Sequence, residues 1–212
     1  VRTLQVPKSL SDYPKVLKTL GDLFVKGRSS EASAPKTKQY QQLFQAAEAA
    51  KDFDNNDDYL KSLNISIQVA KDDANSIDRI SELSLKSNQF NLTTLRQTPV
   101  EIKAKIENPD FTVYSVKVSD KFGDSGLTAI VIAAHQDDES KIEAFIMSCR
   151  IIGRGIETAI FTAVLNDLKQ RGFCWVSAKF SATEKNSQVA SFYSDLGMRL
   201  THDSSTTKDY RD

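Results

Sequence analysis

The sequence has little of what several common functions require. Two cysteines, Cys149 and Cys174, and two histidines in 212 residues form neither a disulfide framework nor a Cys-x-x-Cys metal pattern. A structural zinc site is not expected, and both thiols are expected reduced. No apolar run approaches the ~18 residues of a membrane span, and the amino end is polar from Arg2 onward, without the apolar core of a signal peptide. Charge of one sign is also missing. Lys plus Arg number 28 and Asp plus Glu 28, so no overall field draws the protein to nucleic acid or anionic lipid. Neither Gly-x-Gly-x-x-Gly nor Gly-x-x-x-x-Gly-Lys-Ser/Thr occurs. These absences imply a cytoplasmic protein without a metal, nucleic acid or membrane partner, whose anion sites are local.

What is present describes a globular chain: 40% hydrophobic and 26% charged residues. Its length suits one core of ordinary size plus an appendage. It starts at Val1 and not at methionine, which suggests a piece of something longer. Residues 1–62 read as a helical extension, with a short helix at Tyr13 to Leu20, a flexible Gly27 to Ser30 and a helix from Pro35 to Ala50. Alternation at Asn64 to Val69 predicts the first strand of a compact domain over 63–212. Ile77, Ile80, Leu83 and Leu85 give a helix face. Thr98-Pro99-Val100-Glu101 is a capping box with proline at the first helical position, predicting a second helix to about Asn108.

Phe111 to Val118 and Leu127 to Ala134 read as a hairpin joined by the turn-rich 120–126, and Ile142 to Met147 as a third strand. A helix to about Arg171 follows, with Ile156, Ala159, Ile160, Ala163, Val164 and Leu168 on one face. Phe173 to Phe180 is the next strand, which should bury Cys174. Asn186 to Leu196 is the next helix, and Met198 to Thr201 with Thr207 to Tyr210 form a closing hairpin. The order predicts an α/β fold, a mixed central sheet flanked by helices.

Between the third strand and its helix lies Arg150-Ile151-Ile152-Gly153-Arg154-Gly155. Two glycines let the backbone turn tightly, and the first free amides of a helix carry partial positive charge, so phosphate fits there. The Arg-x-x-Gly-x-Gly spacing resembles the pyrophosphate loop of GNAT acyltransferases, and the element order resembles the GNAT fold.

Longer stretches resemble the carboxy-terminal half of FkbH-like proteins: Asn88 to Thr94, Lys121-Phe122-Gly123-Asp124, Met147 to Gly155, Lys185-Asn186 and Phe192 to Gly197. The resemblance implies the transferase part of a two-part enzyme. Its amino-terminal HAD-like domain would handle 1,3-bisphosphoglycerate, and its product would be a glyceryl thioester on an acyl carrier protein, used for methoxymalonyl-type polyketide extenders. The HAD part needs an Asp-x-Asp at the end of an apolar strand, which this chain lacks. Lys179 and Phe180 stand where the family has a Glu-Tyr pair, so no acidic catalyst carries over there.

Cys149, at the carboxyl end of a central strand beside Arg150, is the candidate acyl acceptor. Tyr193, in Phe-Tyr-x-x-Leu-Gly, is either the phenol that reprotonates a departing thiolate or a packed aromatic. Arg150, Ile152, Gly153, Arg154 and Gly155 would hold phosphopantetheine or coenzyme A, with Asn186 either a helix cap or a donor to the pantetheine arm. Asn88, Gln89, Asn91, Thr93, Thr94 and Asp124 could meet the hydroxyls of a glyceryl group or hold turns. Neither His135 nor His202 is placed to act as base. Direct acetyl transfer from coenzyme A to an amine, and a silent module that docks a carrier protein, remain alternatives.

Overall fold

The structure, a computed structural model, describes residues 55–212 together with Gln45, Glu48, Ala49 and Phe53. The expected helix at Tyr13 to Leu20, the flexible Gly27 to Ser30 and most of the helix from Pro35 lie outside the described residues. The chain divides into two units, and the second, Ala46–Asp212, carries the fold. Its first fully described helix is α1 (Asn56–Ser62), which is tied to a distant hairpin: Lys121 Nζ donates to Ser62 Oγ, and Lys121 N donates to Leu63 O at 2.9 Å.

Among the described residues eight strands form one sheet. They are β1 (Ser66–Lys71), β2 (Phe90–Asn91), β3 (Phe111–Asp120), β4 (Gly123–Gln136), β5 (Glu139–Met147), β6 (Trp175–Ser181), β7 (Arg199–Asp203) and β8 (Thr207–Arg211). The order across the sheet is β1-β3-β4-β5-β6-β8-β7, with β2 attached to β5. Only β5 and β6 run parallel; the other pairs are antiparallel. Four further helices cover the sheet: α2 (Ile77–Lys86), α3 (Pro99–Ile106), α4 (Ile156–Gln170) and α5 (Phe192–Asp195).

Alternation along the strands divides the core in two. Val116, Val131, Phe145 and Ala178 pack with Ile160, Phe161 and Val164 of α4 and with α5. Val113, Ile130, Ile132, Ala144 and Ile146 pack with Ile80 and Leu83 of α2 and Ile102 of α3. The capping box of α3 is formed, with Thr98 N donating to Glu101 Oε2 at 2.7 Å. Two buried serines on α2 face the core because they clamp a returning chain: Ser81 Oγ donates to Gln97 O at 2.7 Å, and Ser84 Oγ accepts from Gln97 N at 3.1 Å.

Several local expectations are corrected. The β3–β4 strands run closer to their tip than composition implied, so Asp124 lies within β4. Leu85 is exposed, as are Ala159 and Ala163; Phe161 takes the place of those alanines on the buried face of α4. The expected helix from Asn186 is a short 3-10 turn, Ser187–Val189, followed by the four residues of α5. Cys174 precedes β6 and is exposed, so it is not buried within a strand. The two-residue β2 has no signal in the alternation pattern.

Candidate functional site

The site grows from two irregularities in β5. Pairing with β4 slips between Ile132 and Ala133, which face Ala144 and Ile142 and leave Glu143 as a bulge. On the other edge, β5 pairs with β6 only over Glu139–Ile142 and Trp175–Ala178. Beyond the bulge the strands part, which would strand two rows of backbone donors and acceptors. The chain fills the gap itself.

β2 runs antiparallel along β5, with Phe90 opposite Met147 and Asn91 opposite Ile146. Leu92 N donates to Phe145 O at 3.1 Å, and Leu92 O accepts from Ser181 N of β6 at 2.7 Å. Thr93 Oγ1 donates to Glu143 O at 2.7 Å. Asn186, fully buried, staples this wedge. Its Nδ2 donates to Asn91 O and Ser181 O at 2.9 Å each, while Oδ1 accepts from Thr183 N at 2.7 Å and Thr183 Oγ1 at 2.9 Å. A side-chain amide offers two donor and two acceptor positions. Asn186 therefore has none left for a pantetheine arm, and its side chain caps no helix.

At the carboxyl end of β5, Ser148 N donates to Thr128 O at 2.7 Å and Ile151 N donates to Ser148 O at 3.2 Å. This turn carries Cys149 out of the sheet with its thiol exposed. Cys149 lines a cavity of about 660 Å3 with Asn88, Gln89, Arg79, Glu82, Lys86, Arg150, Glu184 and Lys185. Four cations thus face two carboxylates, and Glu82 already pairs with both Arg79 and Lys86. Burial, and then the nearby Arg79, lower Arg150 below the usual guanidinium value; Cys149 acts in the opposite sense. A net positive wall beside an exposed thiol attracts anions to it. Asn88, Glu184 and Lys185 also line a second cavity of about 330 Å3, with Asn91, Thr94 and Arg96.

The glycine loop follows. Gly153 and Gly155 adopt φ of 79° and 70°, with nothing within 4 Å of an added Cβ, so the backbone is open to close approach. Gly153 N donates to Glu157 Oε1 at 3.3 Å, whereas the amides of Ile152, Arg154 and Gly155 have no acceptor among the described residues. Arg154 is engaged elsewhere, with Nη1 on Asp120 Oδ2 at 3.1 Å. The loop therefore presents backbone donors, and the guanidinium beside it fixes the hairpin tip.

No protein-family model matches the sequence, and no curated protein does. Solved structures match in fold. The PaiA N-acetyltransferase of Thermoplasma acidophilum, in complex with coenzyme A, is similar with a TM-score of 0.57 and 13% identity, over 69% of this chain and 98% of that one. The ribosomal-protein-S18-alanine N-acetyltransferase of Escherichia coli gives 0.52 and 8%, over 69% and 91%. A GNAT-family acetyltransferase of Staphylococcus aureus Mu50 gives 0.52 and 11%, over 69% and 98%. This is the GNAT fold. At such identities the likeness is one of architecture, and the chemistry has to come from the residues.

Within this GNAT fold the remaining candidates separate. Asn88 and Gln89 meet Cys149 at the large cavity, Asn91 and Thr94 line the second, and Thr93 lines a third. Asp124, in the first residues of β4, accepts from Gly126 N at 2.6 Å. Tyr193 lies away from the Cys149 cavity, 1% exposed between Phe161, Phe192 and Tyr210, its hydroxyl without a partner among the described residues and its ionisation strongly disfavoured by burial and then by Tyr210. His135 is bound to Thr112 and Ser140, and His202 is exposed on β7. The charged wall from α2 is not legible in the sequence. Arg79, Glu82 and Lys86 share helical spacing, but a solvated face shows the same pattern. Among the described residues no cluster of metal-ligating side chains occurs, and no helix is long and apolar enough to cross a membrane.

Proposed function

We propose that this domain is the acyltransferase part of an FkbH-like enzyme, loading a glyceryl group onto the phosphopantetheine thiol of an acyl carrier protein in the cytoplasm. The observation that supports this reading is the exposed Cys149 in the wall of a net positive cavity, flanked by the amides of Asn88 and Gln89.

In the first step the Cys149 thiolate attacks the acyl carbon of a glyceryl phosphate anhydride derived from 1,3-bisphosphoglycerate. A C–S bond forms, the C–O bond breaks, and phosphate leaves with the electron pair. A HAD-like partner domain would remove the other phosphate by hydrolysis. In the second step the pantetheine thiolate attacks the Cys149 thioester and Cys149 leaves as thiolate. Arg79 and Arg150 offset the negative charge that develops. Asn88 and Gln89 supply donors and acceptors for the glyceryl hydroxyls. The free amides of Ile152, Arg154 and Gly155 hold the phosphopantetheine phosphate.

The likeness to N-acetyltransferases, one of them holding coenzyme A, favours a second reading, direct transfer from acetyl-coenzyme A to an amine. Cys149 then carries no acyl group. Mass spectrometry of the chain incubated with a glyceryl pantetheine thioester separates them. A glyceryl adduct mapped to Cys149, absent in Cys149→Ala, supports the first. Acetyl transfer to an amine that persists in Cys149→Ala supports the second, and neither activity supports a docking module.

A further inference from the structure

The face of the sheet covered by α2 and α3 holds a third cavity, of about 480 Å3, that the Cys149 chemistry does not use. Its walls include Gln97, Lys105, Lys141, Glu143, Lys179 and Ser181. Lys105 Nζ meets Glu143 Oε2 at 2.6 Å and lies 4.0 Å over the Phe111 ring, so one cation and one carboxylate cancel. Lys141 and Lys179 stand on neighbouring strands and have no ion-pair partner among the described residues. Asp209 lies opposite Lys179 on the β6–β8 ladder but makes no ion pair with it. The cavity therefore keeps two uncompensated positive charges.

Gln97 supplies a second and independent observation. Ser81 and Ser84 clamp its backbone, which fixes where its side chain emerges. The residue is 5% exposed, and its Oε1 has no hydrogen-bond donor among the described residues. A buried carbonyl oxygen without a donor costs about 1–3 kcal/mol. A ligand N–H or O–H placed there removes that cost, and the lysines supply the attraction for an anion.

We propose that this cavity binds a small organic anion that also carries a hydroxyl or amine. Its carboxylate or phosphate sits between Lys141 and Lys179, and its donor meets Gln97 Oε1. The site shares no residue with the Cys149 cavity, so it stands or falls apart from the acyltransferase reading.

Glycerate, propionate and inorganic phosphate are titrated against the 212-residue chain, with backbone amide shifts as the readout. Glycerate is expected to saturate shifts at Gln97, Lys141 and Lys179. Propionate has the same charge without a hydroxyl and is expected to bind about tenfold more weakly, the value of one hydrogen bond. Gln97→Leu should erase that difference while leaving propionate affinity unchanged. The double variant Lys141→Ala with Lys179→Ala should weaken glycerate and phosphate by about tenfold or more. Tighter saturation by phosphate than by glycerate assigns the anion as phosphate, and the reverse assigns it as carboxylate. Either result supports the site. Unchanged binding in the double lysine variant, with its cooperative melt intact, overturns the proposal. So does the absence of a saturable shift at Gln97 with any of the three probes, or shifts confined to Cys149 and Arg150.

Discussion

At the amino ends of β5 and β6 the side chains close into a network, whereas at their carboxyl ends buried polar atoms go without partners among the described residues. In the closed end, Asp167 accepts from Lys71 Nζ at 2.7 Å and from Tyr114 OH at 2.8 Å. Arg171 donates to Thr112 Oγ1 at 2.7 Å, Thr112 meets His135 Nε2 at 2.8 Å, and His135 Nδ1 meets Ser140 Oγ at 3.0 Å. In the open end, Asn91 Oδ1, Gln97 Oε1, Thr128 Oγ1, Glu157 Oε2 and Tyr193 OH are buried and have no hydrogen-bond partner among the described residues. They surround the wedge, the glycine loop and the helices beside them. Native interiors leave few such groups unpaired. The closed end ties α4 to the strands, and the open end carries the exposed Cys149.

The largest expected effect tests how the open end stays in place. Asn186→Ala removes four hydrogen bonds from a fully buried staple and should lower stability by about 3 kcal/mol. Urea melts read the loss, and hydrogen exchange should quicken at the Leu92 and Ser181 amides that β2 shares with its neighbours. Retained stability and protection would show that the wedge does not depend on Asn186.

Next, Asp167→Ala should cost about 2 kcal/mol, because Lys71 and Tyr114 lose a charged acceptor that is only partly screened. Cys149→Ala should stay within about 0.5 kcal/mol of the parent, as exposed sites generally do. Equal losses in thermal melts would break the contrast between an end whose side chains tie α4 to the strands and an end that carries an exposed thiol.

The smallest effect is a pH dependence. Burial, then Arg171, hold His135 below its ordinary value, against the opposing pull of Asp72, Asp110 and Asp167. The unfolded chain thus takes the proton more readily. This contribution is complete above the ordinary value of 6.5 and is lost as pH falls through the lower folded value. Asp167 adds in the same direction at more acid pH. Burial would raise its carboxyl, but the bonds from Lys71 and Tyr114 outweigh that and hold it low. Denaturant melts between about pH 7 and 5 should show a shallower slope in His135→Gln. An identical slope would move the pH sensitivity away from the closed end.

Signals carried by adjacent residues are legible in the sequence. The capping box of α3 needs only Thr98, Pro99 and Glu101 in one turn, and the Gly153 and Gly155 turn ahead of α4 needs only the chain on either side of it. The prominence of Cys149 follows from its place between a strand and that loop, which the structure joins to Asn88 and Gln89. The wedge is not legible. Phe90 and Asn91 are too short a strand to alternate, and their partners come from β5, β6 and Asn186, the last 95 residues away in sequence.

Cys174 shows the same limit from the other side. An apolar stretch around it reads as strand, yet the chain is still leaving α4 there, and Cys174 N donates to Asp138 O at 2.8 Å before the strand starts at Trp175. Tyr193 has a helical pattern that suits catalysis and packing equally, and only its three aromatic neighbours place it in the core.

The sequence by itself determined most of the order of elements, the cap of α3 and the glycine turn ahead of α4, because propensity, capping and turn geometry act over a few neighbouring residues. The tertiary structure decided which groups share a cavity, which amides are already spent and which thiol is exposed. Those outcomes depend on where β5 bulges and parts from β6, and a gap between strands is filled by whichever distant segment can satisfy its backbone hydrogen bonds.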